Sequence, residues 1–208
     1  MMIRKIAPLA AAAALFVAAP AFAQSQGEFT LGLGAHQVAP KSNNGKLAGN
    51  TLAVDVGNNI RPTITGEYFI ADNLGLEVIA ALPFQHDVNI KGLGKVGTTK
   101  HLPPTISVQY HFGAVDAKVK PFVGAGVNFT WFYSEKTQGA LAGNDLRLGN
   151  SWGAAAHVGV DFALSEKSAI RVDARWIDID TKVKLNKAPI GTVNVDPLVY
   201  GASYVMKF

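Results

Sequence analysis

The stretch "VDPLVYGASYVMKF", residues 195–208, decides how the whole chain is read. In steps of two, Leu198, Tyr200, Ala202, Tyr204, Met206 and Phe208 fall on one face, and Val199, Gly201, Ser203, Val205 and Lys207 on the other. This is the period of a β-strand with one apolar, aromatic-flanked face and one small or polar face. Chain ends in water fray unless something holds them. A terminal strand of this kind therefore calls for a pairing partner and an apolar surrounding.

The same alternation recurs along the chain. "FTLGLGA" (29–35), "PTITGEYF" (62–69), "LGLEVIAALPF" (74–84), "LPPTISVQYHF" (102–112), "PFVGAGVNFTWFY" (121–133), "SWGAAAHVGVDF" (151–162) and "AIRVDARW" (169–176) each set an apolar face against a small or polar one. With the C-terminal stretch these make eight strands, each about long enough to cross a bilayer at a tilt. A soluble sandwich would show alternation too. Three features favour the membrane. The apolar faces carry aromatics near their ends (Tyr68, Tyr110, Phe112, Trp131, Tyr133, Trp152, Phe162 and Trp176), as bilayer interfaces do. Short connections at "ADN", "GAVDAKVK" and "ALSEKS" alternate with long ones near 40–59, 85–101, 134–150 and 179–194. An even strand number with both ends on the short-turn side is the plan of an outer-membrane barrel. The reading is all-β: an eight-stranded antiparallel transmembrane β-barrel with long extracellular loops and short periplasmic turns. Closing it pairs the last strand with the first and leaves no open edge.

The start of the chain fits export. "MMIRK" is a basic start, "IAPLAAAAALFVAA" an apolar run, and "PAFA" ends in a small-x-small site, Ala21 and Ala23. That is the layout of a secretory signal peptide over 1–23, leaving residues 24–208 as the barrel in the outer membrane of a Gram-negative cell. Removing Arg4 and Lys5 with the leader lowers the formal charge of +4 to about +2, which gives nucleic acid little to hold. There is no cysteine, so disulfides and thiolate metal sites are excluded.

Five blocks in order, "LPPTISVQYHF", "KPFVGAGVNFTWF", "SWGAAAHVGVDF", "RWIDIDTKVKLN" and "VDPLVYGASYVMKF", resemble the OmpW family of outer-membrane proteins, which includes AlkL-type alkane-uptake barrels. The resemblance covers nearly all of residues 24–208. It implies an eight-stranded barrel with outer-membrane lipids around it and a role in passive uptake of small hydrophobic solutes. It also implies that a terminal aromatic, here Phe208, addresses the barrel-assembly machinery. The ending Met206-Lys207-Phe208 departs slightly from the aromatic-Arg-Phe ending of many relatives.

The inward face can be read from strand direction alone. Glu28, Glu67, Glu77, His111, Asp161, Arg171 and Lys207 fall toward the periplasmic end, with Gln109, His157, Asp173 and Arg175 a little higher. Mixed signs in so narrow a bore predict a paired polar plug rather than a single-sign filter, although a proton or ion path is the alternative. Phe132, Ile177 and Val199 point inward in the outer half, and Leu52, Val54 and Val56 belong to the first long loop. Together they predict an apolar vestibule, with room left by Gly32, Gly34, Gly124, Gly126 and Gly201. Pro62, Pro83, Pro103 and Pro104 lie near the outer ends of three neighbouring strands. They either weaken the wall into a lateral opening or simply end strands.

Enzymatic signals are thin. There is no Gly-x-Ser-x-Gly, and the five histidines are scattered. His86-Asp87 and His101 share one long connection but lack a third metal ligand. "GLGKVGTTK" has Thr98 where a phosphate-binding loop needs lysine. The sequon "NFT" at Asn128 lies within a strand and reads as chance. Neither cofactor nor metal is expected, and the chain is not read as an enzyme. Two functions remain: a conduit for small hydrophobic molecules with lateral exit, or a structural or adhesive barrel whose loops bind phage, toxin or host partners.

Overall fold

The computed structural model describes residues 22–208, so nearly all of the expected signal peptide lies outside the described residues. The strands are β1 (Phe29–Ala39), β2 (Lys46–Leu47), β3 (Leu52–Val56), β4 (Asn59–Ala71), β5 (Leu74–Ala81), β6 (Phe84–Ile90), β7 (Gly94–Leu102), β8 (Thr105–His111), β9 (Val119–Thr137), β10 (Leu146–Leu148), β11 (Ser151–Ser165), β12 (Ser168–Ile177), β13 (Asp180–Leu185), β14 (Ala188–Asn194) and β15 (Leu198–Lys207). Eight of them, β1, β4, β5, β8, β9, β11, β12 and β15, pair in that order around an antiparallel barrel. The β15–β1 ladder, from Thr30↔Lys207 to Ala39↔Leu198, closes it. At the seam the Phe208 amide donates to the Phe29 carbonyl at 2.9 Å. The rings of Phe29 and Phe208 lie 6.5 Å apart on the same face.

The faces follow the period of two. Leu33, Ile64, Val78, Ile106, Val127, Val158 and Val172 point out and are about half exposed, which suits hydrocarbon surroundings rather than water. Tyr68, Tyr110, Phe112, Phe162, Tyr204 and Phe208 ring the short-turn end. Trp131, Tyr133, Trp152 and Trp176 ring the other. Small residues let neighbouring backbones and side chains crowd inward. A Cβ on Gly126 would strike the Ile106 carbonyl, and one on Gly124 would strike the His157 ring.

The long connections differ from the loops expected of them: they carry strands. β2, β3, β6 and β7 continue the barrel sheet outward, and β10, β13 and β14 form a separate three-stranded sheet. β9, at 19 residues, serves both levels. It pairs with β8 and β11 below, and with β7 from Trp131 to Thr137 above. Leu52, Val54 and Val56 thus lie on β3 rather than in a loop. Phe84, expected outward with Leu82, is buried instead. The chain bends at Pro83 between β5 and β6, and the bend reverses which parity faces the interior.

Val127→Arg puts a charge on the lipid face midway between the aromatic rings and should cost ~2–4 kcal/mol in denaturant unfolding from lipid vesicles. Gly126→Arg should act through the bore instead. Unchanged stability of the Val127 variant would place β9 one register out.

Candidate functional site

The bore divides into a charged floor and an apolar upper chamber. Arg171 on β12 is the centre of the floor. Its Nε and Nη2 donate to Asp161 at 2.7 and 2.9 Å, Nη2 also to Glu67 at 3.0 Å, and Nη1 to Glu77 at 3.1 Å. Its guanidinium rests 4.6 Å from the centre of the Phe122 ring. Arg175 Nη2 donates to the other Glu77 oxygen at 2.7 Å. Gln109 donates to Glu67 at 3.1 Å and accepts from His157 Nε2 at 2.8 Å. His111 Nε2 reaches Glu67 at 2.8 Å, and His36 bridges Asp173 at 2.9 Å and Thr63 at 2.7 Å. All these groups are buried, so their charges are matched within the protein rather than by solvent.

Glu28 and Lys207 sit half-buried below the network, 3.1 Å apart. His36, Lys120 and Gln24 also belong to the plug, though sequence reading passed over them. Lys120 donates to Asn73 and to the Val115 carbonyl at 2.8 and 2.7 Å, and Gln24 donates to Asp161 at 2.8 Å. Carrying the alternation one step further, from Gly34 to His36 and from Phe122 to Lys120, finds two of the three.

Above the floor the interior turns apolar. Val38, Phe84, Phe132, Ala155, Ile177 and Val199 pack in one cluster with Val54, Val183 and Val193 from the outer strands and with Val195 just past β14. A cavity of roughly 110 Å³, partly open to the outside, is lined by Leu52, Val54, Val56, Val96, Phe132, Leu146 and others of this set. A smaller pocket of roughly 20 Å³ lies lower, bounded by Val38, Ile79, Ala81, Phe84, Pro103, Ile177 and Val199, with Thr63, Thr105 and Arg175 as its polar members. The inward glycines serve the floor more than this chamber: Gly201 faces His36, and Gly124 faces His157.

The wall is interrupted beside the smaller pocket. The β5–β8 ladder stops at Ile79↔Thr105, and the β6–β7 ladder starts at Phe84↔His101. Residues 80–83 and 102–104 therefore do not pair with each other. Pro83, Pro103 and Pro104 fall in this gap and have no amide hydrogen to offer. Pro62 stands one strand away, within β4, where its carbonyl accepts from Leu82. Side chains donate to the proline carbonyls at the gap, that of Pro104 also accepting the Phe129 amide. Asn128, fully buried on β9, donates to those of Pro103 and Pro104 at 3.0 Å, and Arg61 donates to that of Pro83 at 3.1 Å. Asn128 thus has a structural task that the sequence reading did not assign.

Other polar clusters lie at or above the outer aromatic ring. His86 and His101 come together, their Nε2 atoms 3.0 Å apart and their rings stacked among Phe84 and Phe132. Burial holds the His86 ring below the usual histidine range; burial and the His86 charge do the same for His101. Asp87 turns outward to Lys95 at 2.8 Å, so no metal triad forms from these three. Among the described residues, Asp178, Asp180 and Asp196 have ligand-like spacing. Asp196 is already bridged to Lys41 at 2.7 Å and accepts the Ile179 amide at 3.1 Å.

Arg171→Met leaves three buried carboxylates facing one another and should lower stability by ~3–5 kcal/mol in lipid-based unfolding. A loss below ~1 kcal/mol would mean that the floor is far wetter than its burial indicates.

The OmpW family model matches residues 25–208. Outer membrane protein W of Escherichia coli K12 is 36% identical over 211 residues, 99% of this chain and 100% of that protein. Outer membrane protein AlkL of Ectopseudomonas oleovorans is 32% identical over 161 residues, 73% of this chain and 68% of that protein. The crystal structure of OprG from Pseudomonas aeruginosa superposes with a TM-score of 0.80 at 32% identity, covering 90% of this chain and 99% of that one. Matched from end to end of its barrel in both sequence and fold, the chain belongs to the OmpW family of outer-membrane proteins.

Proposed function

We propose that this barrel is a passive conduit for small hydrophobic molecules. A solute enters the apolar chamber from the medium, is stopped by the charged floor, and leaves sideways between β5 and β8 into the lipid. One observation carries the reading: the hydrogen-bonded wall is interrupted at the level of the lower apolar pocket, just above the sealed floor. An apolar molecule meets hydrocarbon on every side of the chamber. Crossing the floor would require it to displace paired charges, which costs far more than passing a gap already free of ladder bonds. Relatives named as outer-membrane proteins, AlkL among them, are consistent with a membrane conduit.

The same reading covers export and insertion. The leader over 1–23 is removed near Ala23. Phe208, exposed on the lipid face beside Phe29, is available to the barrel-assembly machinery.

Two experiments test the route. Phe132→Asp or Val199→Asp adds a poorly solvated charge to the chamber and should depress uptake of an alkane-like probe into proteoliposomes, while salt conductance stays small. Because the chain has no cysteine, positions 81 and 103 can be converted to cysteine and bridged with a reducible cross-linker. Uptake should fall when the bridge forms and return on reduction. Large ion currents without probe uptake would defeat the lateral route. Neither activity would leave a structural or adhesive barrel as the better account.

A further inference from the structure

The outward face of the outer sheet carries its charges in a definite order. From β12 into β13 the residues Trp176, Asp178, Asp180, Lys182 and Lys184 face away from the chamber, while Ile177, Ile179, Thr181 and Val183 are buried toward it. Trp176 belongs to the outer aromatic ring. Two carboxylates follow it, then two exposed lysines. Directly opposite Lys184, on β10, stands Arg147, which is exposed as well. Like charges facing each other across a ladder repel. Arg147 has one partner, Asp145 at 2.9 Å, and an ion pair this open to solvent is worth little. Among the described residues no carboxylate comes within ion-pair distance of Lys182 or Lys184. Three cations thus share one exposed patch with a single counter-charge.

The height of the patch decides what anion can reach it. At a rise of ~3.3 Å per residue and a strand tilt of ~40°, Lys182 and Lys184 stand roughly 15–20 Å above the level of Trp176. Phospholipid phosphates lie near that aromatic level, where the same row presents Asp178 and Asp180 and repels them. The anion that meets the three cations must therefore project well above its own acyl chains. In the outer leaflet of an outer membrane, the phosphorylated inner-core sugars of lipopolysaccharide do so. We infer that Arg147, Lys182 and Lys184 form a docking surface for the core phosphates of a lipopolysaccharide molecule. Its acyl chains lie lower, against the barrel wall beside Trp152 and Trp176, which are 73% and 46% exposed. The other face of the same sheet lines the upper chamber with Leu146, Val183 and Leu185, so the bound glycolipid braces the chamber wall from outside. The inference rests on the outer-membrane location of the family and is independent of the conduit.

The test places the full mature chain in phosphatidylcholine nanodiscs assembled with increasing fractions of a rough lipopolysaccharide that ends at its inner core. Parallel series use the same lipopolysaccharide stripped of its core phosphates, phosphatidylglycerol, or inorganic phosphate in solution. In the wild-type protein the amide resonances of Arg147, Lys182 and Lys184 should shift and saturate with the phosphorylated lipopolysaccharide, so this measurement does not depend on any variant folding. The stripped form and phosphatidylglycerol should each bind at least tenfold more weakly, and inorganic phosphate should give no saturation. Replacing all three cations (Arg147→Gln, Lys182→Gln and Lys184→Gln together) should weaken lipopolysaccharide binding by about tenfold to a hundredfold. All three side chains are exposed, so the barrel should still close, as its heat-modified gel mobility will show. Lys167→Gln, at the exposed turn after β11, should leave binding unchanged. Equal binding of the stripped lipopolysaccharide or of phosphatidylglycerol, saturation by inorganic phosphate alone, or full binding by the folded triple variant would each overturn the inference.

Discussion

The ion network around Arg171 is the constraint on which the rest of the barrel depends. One guanidinium holds carboxylates from β4, β5 and β11 across the bore, so four strands are tied together from inside as well as through their ladders. Arg175, Gln109, His111 and Gln24 add further contacts to the same three carboxylates, and this mutual satisfaction fills the lower bore. The polar floor in turn confines apolar inward residues to the outer half. Vestibule and floor are two consequences of one partition along the strands.

The wall break shows how backbone and side chains share a task. Prolines remove ladder donors on the β5–β8 side, and freed carbonyls in a membrane are costly. Here Asn128 and Arg61 answer them from within the barrel. The interruption is therefore a satisfied part of the fold rather than a frayed edge. It also lies where β9 stops pairing with β8 and begins pairing with β7, so the barrel proper and its outward extension meet at that level.

Most of the fold was legible because a period of two assigns every residue of a strand once its lipid face is known. Ile64, Val127 and Val158 announced lipid; Glu67, Asp161 and Arg171 announced the bore. Alternation stops assigning faces where parity changes. Pro83 turns the chain, and Phe84, the neighbour that shared its alternation with Leu82, goes inward. The long connections concealed β3, β6 and β7 because short strands broken by glycine and charge give weak alternation. The His86–His101 contact depends on the diagonal register of the β6–β7 hairpin, which spacing alone does not supply. Asn128 reads as one more polar residue until the Pro103 and Pro104 carbonyls are seen to face it.

The ladder between β1 and β15 has a kinetic meaning. The two partners stand at opposite ends of the described chain, so the contact that removes the last open edge joins residues as far apart as Thr30 and Lys207. In hydrocarbon a partly built sheet has two rows of unpaired backbone groups, and no shorter set of these strands closes on itself. Intermediate sheets should therefore be poor resting states, and closure should behave as a single cooperative event with a large loop-closing cost. A lesion in β15 then acts on the whole molecule at once. Loss of its register leaves β1 and β12 both exposed as edges, and each becomes a template for pairing with another chain.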